Sequence, residues 1–194
     1  MARFYKKWFK KNNIKIIISG RLKNISSKIS NILKKVQKKT KNNNKITVNL
    51  AINYGSKTEI IDAIKKINYN SQKMTVENIN KNLYSNLVFP DILVRTGAQK
   101  RLSNFMLWQI AYAEIFFLDK LWPDFTKSDL KKIILKYHKI KRNFGGIWYE
   151  EWTFQKNFHF SISFANFILR NGIFRYLSYI NINIILLIVC LWNF

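Results

Sequence analysis

Runs of β-branched and apolar residues alternate with amphipathic stretches along the first two-thirds of the chain. Ile14-Lys15-Ile16-Ile17-Ile18, closed by Ser19-Gly20, predicts a strand. Ile25, Ile29, Ile32, Leu33 and Val36 then recur at helical spacing, which predicts a helix with lysines on its outer face. Lys41-Asn42-Asn43-Asn44-Lys45 reads as a turn into Ile46 to Ile52, nearly all apolar or β-branched, as expected of an inner strand covered on both faces. Ser56-Lys57-Thr58-Glu59 reads as a capping box opening a helix on Ile60, Ile61, Ile64 and Ile67. A weaker helix is expected over Thr75 to Tyr84, a strand over Asp91 to Arg95, a helix over Phe105 to Ile110 and a strand over Ala113 to Phe117. Thr126-Lys127-Ser128-Asp129 caps a last helix on Leu130, Ile133, Ile134 and Tyr137. The alternation predicts an α/β fold, a mostly parallel central sheet flanked by helices.

The pattern changes after Gly146. Residues 147–194 are aromatic and aliphatic with little charge, so the chain divides into a domain at 1–146 and a hydrophobic tail at 147–194. Ile173 to Trp192 is about as long as the ~20 residues of a membrane span. Arg175, Ser178, Asn181 and Asn183 interrupt it, leaving Ile184 to Trp192 cleanly apolar. A weak membrane anchor, a helix packed on the domain, and readthrough past a shifted stop are the three readings of this tail.

Composition narrows the partners. The chain has 194 residues, enough for one domain, and carries 34 Lys+Arg against 10 Asp+Glu, a formal charge of +24. Such a surface attracts polyanions: nucleic acid, anionic headgroups or diphosphates. The lysines are dispersed and no RNA-binding signature accompanies them, so no nucleic-acid partner is expected; a basic RNA-binding protein stays as the alternative from another class. The abundance of Lys, Asn, Ile, Phe and Tyr reads as the bias of an AT-rich genome. The single cysteine, Cys190, makes no internal disulfide and fits a reducing compartment. Met1 to Asn13 lacks the apolar core of a secretory signal, so a cytoplasmic chain is expected, with peripheral membrane contact through the tail. His138 and His159 have no metal-ligand spacing around them.

The candidate chemistry lies between Phe89 and Phe125. A short buried strand, Asp91 to Val94, ends in Arg95 and breaks at Thr96-Gly97, the usual place for a site in an α/β sheet. Arg95, Thr96, Lys100, Arg101 and Ser103 put five donors within nine positions, two of them guanidinium forks suited to a phosphate or diphosphate. Ser103-Asn104 opens an apolar segment, so a helix N-terminus is expected there as a further anion site. Glu114 stands alone in the apolar run Ala113 to Leu118 and needs a partner. Either a lysine or a divalent cation bridging to a diphosphate would supply one.

Arg95-Thr96-Gly97, Arg101-Leu102-Ser103-Asn104-Phe105, Leu107-Trp108-Gln109, Ala111-Tyr112, Glu114 and Leu121-Trp122-Pro123-Asp124-Phe125 fall in the order and spacing of a known signature. The chain resembles the cis-prenyltransferases, the undecaprenyl diphosphate synthase family of isoprenyl transferases. Asn49 to Gly55 upstream and Phe144-Gly145-Gly146 downstream fit the same pattern. The resemblance implies extension of farnesyl diphosphate, an allylic diphosphate, with isopentenyl diphosphate to a long polyprenyl (undecaprenyl) diphosphate carrier for cell-wall sugars. It implies that Arg95, Arg101, Leu102 and Ser103 bind isopentenyl diphosphate, that Glu114 helps bind Mg²⁺, and that the enzyme is a homodimer with Arg142 contacting across its interface.

Several positions depart from the family: Ala98 and Gln99 where an acidic residue is usual, Ser56-Lys57 in place of Gly-Arg, and Ile140 to Asn143 in place of an Arg-rich run. The family's N-terminal motif D-G-N-G-R-W-A does not occur here, and Asp62 is the first aspartate. Residues 1–146 therefore resemble the C-terminal part of the enzyme, without the family's catalytic Asp. The missing front and the unmatched tail together favour readthrough or a marginal anchor for residues 147–194. The lone chain is expected to turn over little or no substrate. A non-catalytic partner subunit of a heteromeric cis-prenyltransferase is the alternative within the family.

Overall fold

The computed structural model describes residue 9, residues 12–142, and the short stretches 160–162 and 185–187. Its elements run β1 (Ile14–Ser19), α1 (Ser27–Lys39), β2 (Ile46–Ala51), α2 (Ser56–Tyr69), α3 (Val76–Asn82), β3 (Ile92–Arg95), β4 (Glu114–Phe117), α4 (Lys127–Tyr137), β5 (Phe160–Ile162) and β6 (Ile185–Leu187). Every strand pairing among the described residues is parallel, in two sets ordered β1-β2-β6 and β4-β3-β5, so the expected α/β class is what the chain forms. The expected helix packing in the tail falls largely outside the described residues.

Side-chain alternation divides the core between the two faces of the layer. Ile14 and Ile16 of β1, Ile46 and Val48 of β2, and Ile92 and Val94 of β3 face one side, where α4 delivers Leu130, Ile133, Ile134 and Tyr137. Trp122 and Phe125, stacked with centroids 5.2 Å apart, complete that side. Leu93, the residue between two of these, faces the other side with Ala51, Phe105, Met106 and Ile110. A strand buried on both faces must be apolar at every position, and β3 is until Arg95.

Two expectations about burial change. The apolar stripe of α1 is only partly covered: Leu33 and Val36 are half-buried, while Ile29 and Ile32 are exposed. The helix lies against β1, the outermost strand of its set, and among the described elements none closes over its far side. Likewise Ala113 to Phe117 is not a fully buried run, because β4 is an edge strand that leaves Ile115 and Phe117 exposed.

The cap expected at α4 is present. Thr126 Oγ accepts from the Asp129 amide at 3.3 Å while the Asp129 carboxylate accepts from the Thr126 amide at 2.8 Å. Lys120 Nζ donates to both oxygens of Asp129 at 3.0 Å. Burial pushes the Asp129 carboxyl up, but the Thr126 hydroxyl and amide and the Lys120 ammonium outweigh it and hold it at about 2, below the ordinary 3.8. A depressed carboxylate stabilises the fold above its unfolded pKa, and that contribution fades as pH falls from near 4 towards 2. Asp129→Ala should cost about 1 kcal/mol at neutral pH. Urea titrations should show the difference from the parent chain shrinking across that acid window.

Candidate functional site

In open parallel sheets ligands bind beyond the carboxyl ends of the strands. Here that rim carries Ser19-Gly20-Arg21 after β1, Asn53 to Ser56 after β2, and Arg95-Thr96-Gly97 after β3. The first two are tied together: the Ile52 amide donates to the Ser19 carbonyl at 2.8 Å and the Asn53 side chain to the Arg21 carbonyl at 3.0 Å. Gly20 has φ +120°, and a β-carbon there would stand 2.0 Å from the Ile52 oxygen, so glycine is required for this close approach. Arg21 forks onto Asp62 of α2 at 2.9 and 2.6 Å, and this holds the Asp62 carboxyl at about 2 against burial.

Arg95 is the last residue of β3 and is half-buried at the rim. The crossover that follows exposes Lys100, Arg101 and Ser103, while Leu102 is drawn in against the Leu93–Phe105–Ile110 side of the core. The expected diphosphate residues therefore leave one strand end together, with Leu102 as their anchor. The helix expected over Phe105 to Ile110 is absent. Ser103, Asn104 and Met106 have φ of 46°, 59° and 42°, a left-handed conformation that an α-helix does not admit, and the segment is a succession of turns. The anion site expected at a helix N-terminus at Ser103-Asn104 is therefore not formed. Left-handed non-glycine residues cost roughly 1–3 kcal/mol each and persist only where the surroundings fix them.

Asn104 is one such fixture. Its carbonyl accepts from the Ser56 amide at 2.8 Å and its side-chain oxygen from the Lys57 amide at 2.9 Å, so it caps α2 from 47 residues away. Ser56, itself fully buried, accepts from the Leu107 amide at 3.0 Å. Gly55 lets the crossover come this close: a β-carbon there would lie 2.7 Å from Asn104 Nδ2.

The capping box expected from Ser56 and Glu59 is likewise not formed, because Glu59 turns inward. Its carboxylate is 1% exposed and accepts from Gln109 Nε2 at 2.8 Å, the Tyr84 amide at 2.8 Å and the Tyr54 hydroxyl. Burial, and then the Glu59 charge beside it, pushes the Tyr54 phenol well above its ordinary value. The sequence pattern singled out none of Tyr54, Glu59 or Gln109 as a linked group. An acidic residue on the apolar face of α2, in register with Ala63 and Ile67, was the available signal. Beside this network, Ser19, Asn49, Ser85 and Gln109, with Ala51 and Met106, line a small cleft of mixed polarity, and Gln109 Oε1 has no hydrogen-bond partner among the described residues.

Glu114 is not at this rim. Parallel register sets Ile92 beside Glu114 and Arg95 beside Phe117, so Glu114 begins the strand whose neighbour ends in Arg95. Three residues of strand separate the two levels, about 10 Å. Glu114 is one-third exposed and lies 3.9 Å from Arg142 Nε. Arg142 also donates to Asp91 at 3.1 Å, the Tyr137 hydroxyl at 2.6 Å and the Tyr112 carbonyl at 2.7 Å. The partner of Glu114 is an arginine of its own chain. Arg142, which the family pattern assigns to a dimer contact, is engaged here within its own chain. Among the described residues no three His, Cys, Asp or Glu side chains gather as a metal cage. Mg²⁺ needs only one or two carboxylates beside substrate phosphates, and Glu114, beside Arg142, is the residue that the family pattern offers for it.

Residues 1–145 match the family model described as putative undecaprenyl diphosphate synthase. The chain belongs to the undecaprenyl diphosphate synthase family of isoprenyl transferases. It is 44% identical over 138 residues to an isoprenyl transferase of Fusobacterium nucleatum, covering 71% of this chain and 60% of that one. It is 38% identical over 144 residues to a (2E,6E)-farnesyl-diphosphate-specific ditrans,polycis-undecaprenyl-diphosphate synthase of Pasteurella multocida, covering 70% of this chain and 60% of that one. The crystal structure of a probable undecaprenyl diphosphate synthase from Campylobacter jejuni superposes with a TM-score of 0.70 at 38% identity, over 75% of this chain and 69% of that one. The chain thus spans about three-fifths of the curated relatives it matches.

The inward carboxylate makes a direct prediction. Glu59→Ala strands three donors, each worth roughly 1–3 kcal/mol when buried unpaired, and should cost about 3 kcal/mol or more. Urea denaturation checks this; a loss under about 1 kcal/mol would mean the network is dispensable.

Proposed function

We propose that this chain supplies the isopentenyl diphosphate half of a cis-prenyltransferase site. The observation that carries the reading is the placing of Arg95 at the carboxyl end of β3, with Arg101 and Ser103 on the crossover that Leu102, Asn104 and Gln109 anchor. Two guanidinium forks and a hydroxyl on a fixed loop suit the anionic oxygens of a diphosphate, which an arginine can bind two at a time. Their role is to hold the nucleophilic substrate in one orientation, the positioning part of catalysis. In the complete reaction the isopentenyl double bond attacks the allylic carbon, the allylic carbon–oxygen bond breaks with loss of diphosphate, and a proton leaves. Farnesyl diphosphate as the allylic partner, an undecaprenyl product and a homodimer come from the family resemblance and belong to this proposal.

Mg²⁺ belongs to the same resemblance, with Glu114 as its residue. Since Glu114 and Arg95 of one chain stand at opposite ends of the β3–β4 pair, the orienting role of Arg95, Arg101 and Ser103 is assigned without the metal. The second reading is a non-catalytic partner subunit that pairs with an active chain in a heteromeric cis-prenyltransferase. Among the described residues no helix is long and apolar enough to cross a membrane, and most of Ile173 to Trp192 lies outside them.

Two measurements test the proposal. Calorimetric titration with isopentenyl diphosphate should show binding that Arg101→Ala weakens by roughly 10-fold or more, the size of one charge-assisted hydrogen bond. Binding unchanged by Arg101→Ala, or RNA binding equally indifferent to it, would overturn the assignment. In a chain-elongation assay with farnesyl diphosphate, labelled isopentenyl diphosphate and Mg²⁺, the lone chain should give little or no lipid-soluble product.

A further inference from the structure

The positive charge of this chain is not evenly mixed with negative charge. Sixteen of its 34 Lys+Arg precede Glu59, the first acidic residue, and none of its 10 Asp+Glu does. A compositional bias towards lysine adds cations but does not by itself clear a segment of acids. α1 lies within that segment and exposes Lys28, Lys34, Lys35, Lys38 and Lys39, with no carboxylate on the helix to offset them.

The same helix exposes apolar side chains among its lysines. Ser30 is buried, and Leu33 and Val36 are half-buried, so this stripe faces the sheet. Ile29 and Ile32 remain 49% and 37% exposed. Lys28, Ile32, Lys35 and Lys39 follow one another at spacings of four, three and four, so they form one row along the helix, with Ile29 one turn before Ile32 at its side. Apolar side chains bordered by lysines are the arrangement of a helix that lies in a membrane interface. Lysine stems can run along the apolar boundary while the ammonium groups reach the headgroups. A nucleic acid is met differently, by guanidinium forks and by aromatic rings that stack on bases. α1 has neither an arginine nor an aromatic residue.

The two sides of the layer differ in charge. Val36 of α1 packs on the side where α4 delivers Leu130 and Ile133. α2 lies on the other side, where Glu59 meets Asn49 and Ala51 of β2, and it carries Asp62 as well. β1 ends at the rim and α1 starts after a short connection from it, so a bilayer against α1 lies beside the carboxyl ends of the strands.

We infer that α1 is a docking surface for an anionic lipid bilayer. Ile29 and Ile32 enter the boundary between headgroups and acyl chains, and Lys28, Lys35 and Lys39 meet the lipid phosphates. The inference rests on the helix and its charge, not on the diphosphate assignment, and its test uses no diphosphate.

The test is co-sedimentation of the full chain with vesicles of equal phosphatidylglycerol and phosphatidylcholine. The parent chain should bind them, and added salt should weaken the binding. Lys28→Gln, Lys35→Gln and Lys39→Gln together should weaken it by about 100-fold, at roughly fivefold for each lysine near an anionic surface. Ile29→Ser with Ile32→Ser should weaken it by about 10-fold, as expected for two side chains that are partly exposed before docking. A control that removes equal charge from the α2 side, Lys57→Gln, Lys65→Gln and Lys73→Gln, should have a much smaller effect. All these side chains except Ile29 and Ile32 are exposed lysines, and unchanged circular dichroism should confirm that each variant is folded. Vesicle binding untouched by the α1 variants would overturn the inference by assigning it to another surface. Equal loss in the α2 control would overturn it too, since net charge alone would then account for the binding. So would α1 variants that lose binding to a single-stranded RNA while keeping the vesicles.

Discussion

The buried carboxylate of Glu59 is the interaction on which the rim of this molecule depends. It joins a residue of α2 to Tyr54 at the end of β2, to the Tyr84 backbone and to Gln109 of the crossover after β3. A charged group with almost no solvent is stable only when its oxygens are taken up by donors, so all three segments are held to one geometry. Asn104 adds the second tie by capping α2 from the same crossover. Between these fixed points the chain can sustain left-handed Ser103, Asn104 and Met106, and Arg101 and Ser103 are presented on a braced loop.

A second constraint is the polarity of a parallel pair. Arg95 ends one strand and Glu114 begins its neighbour, so their levels stand about 10 Å apart along the strands. The residues between them, 96 to 113, are the crossover that carries the chain back from one end of the layer to the other. Glu114 instead joins Asp91, Tyr137 and Arg142 in a separate polar group at the amino ends of β3 and β4. The two functional assignments that the motif bundles into one stretch of sequence belong to two ends of the sheet.

Most elements were legible because their signals are local. β-branched runs mark β1, β2 and β3, and the Thr126–Asp129 pair marks the start of α4, since each depends on residues within a turn or a strand. The errors share a cause. Phe105 to Ile110 has a helical composition, but contacts with Ser56 and Glu59, more than 45 residues away, hold it as turns. Ser56 and Glu59 have the spacing of a capping box, but the same distant partners claim both side chains.

The sequence by itself determined the α/β class, the strands and helices from β1 to α4 apart from the segment Phe105 to Ile110, and the run of basic and hydroxyl residues that follows β3, because hydrophobic period and turn chemistry act over a few residues. The tertiary structure alone decided that Glu59 faces inward, that Asn104 caps α2, that Glu114 answers to Arg142, and that the described strands pair in two sets. Each of these is a contact or a register between segments tens of residues apart, which no local pattern encodes.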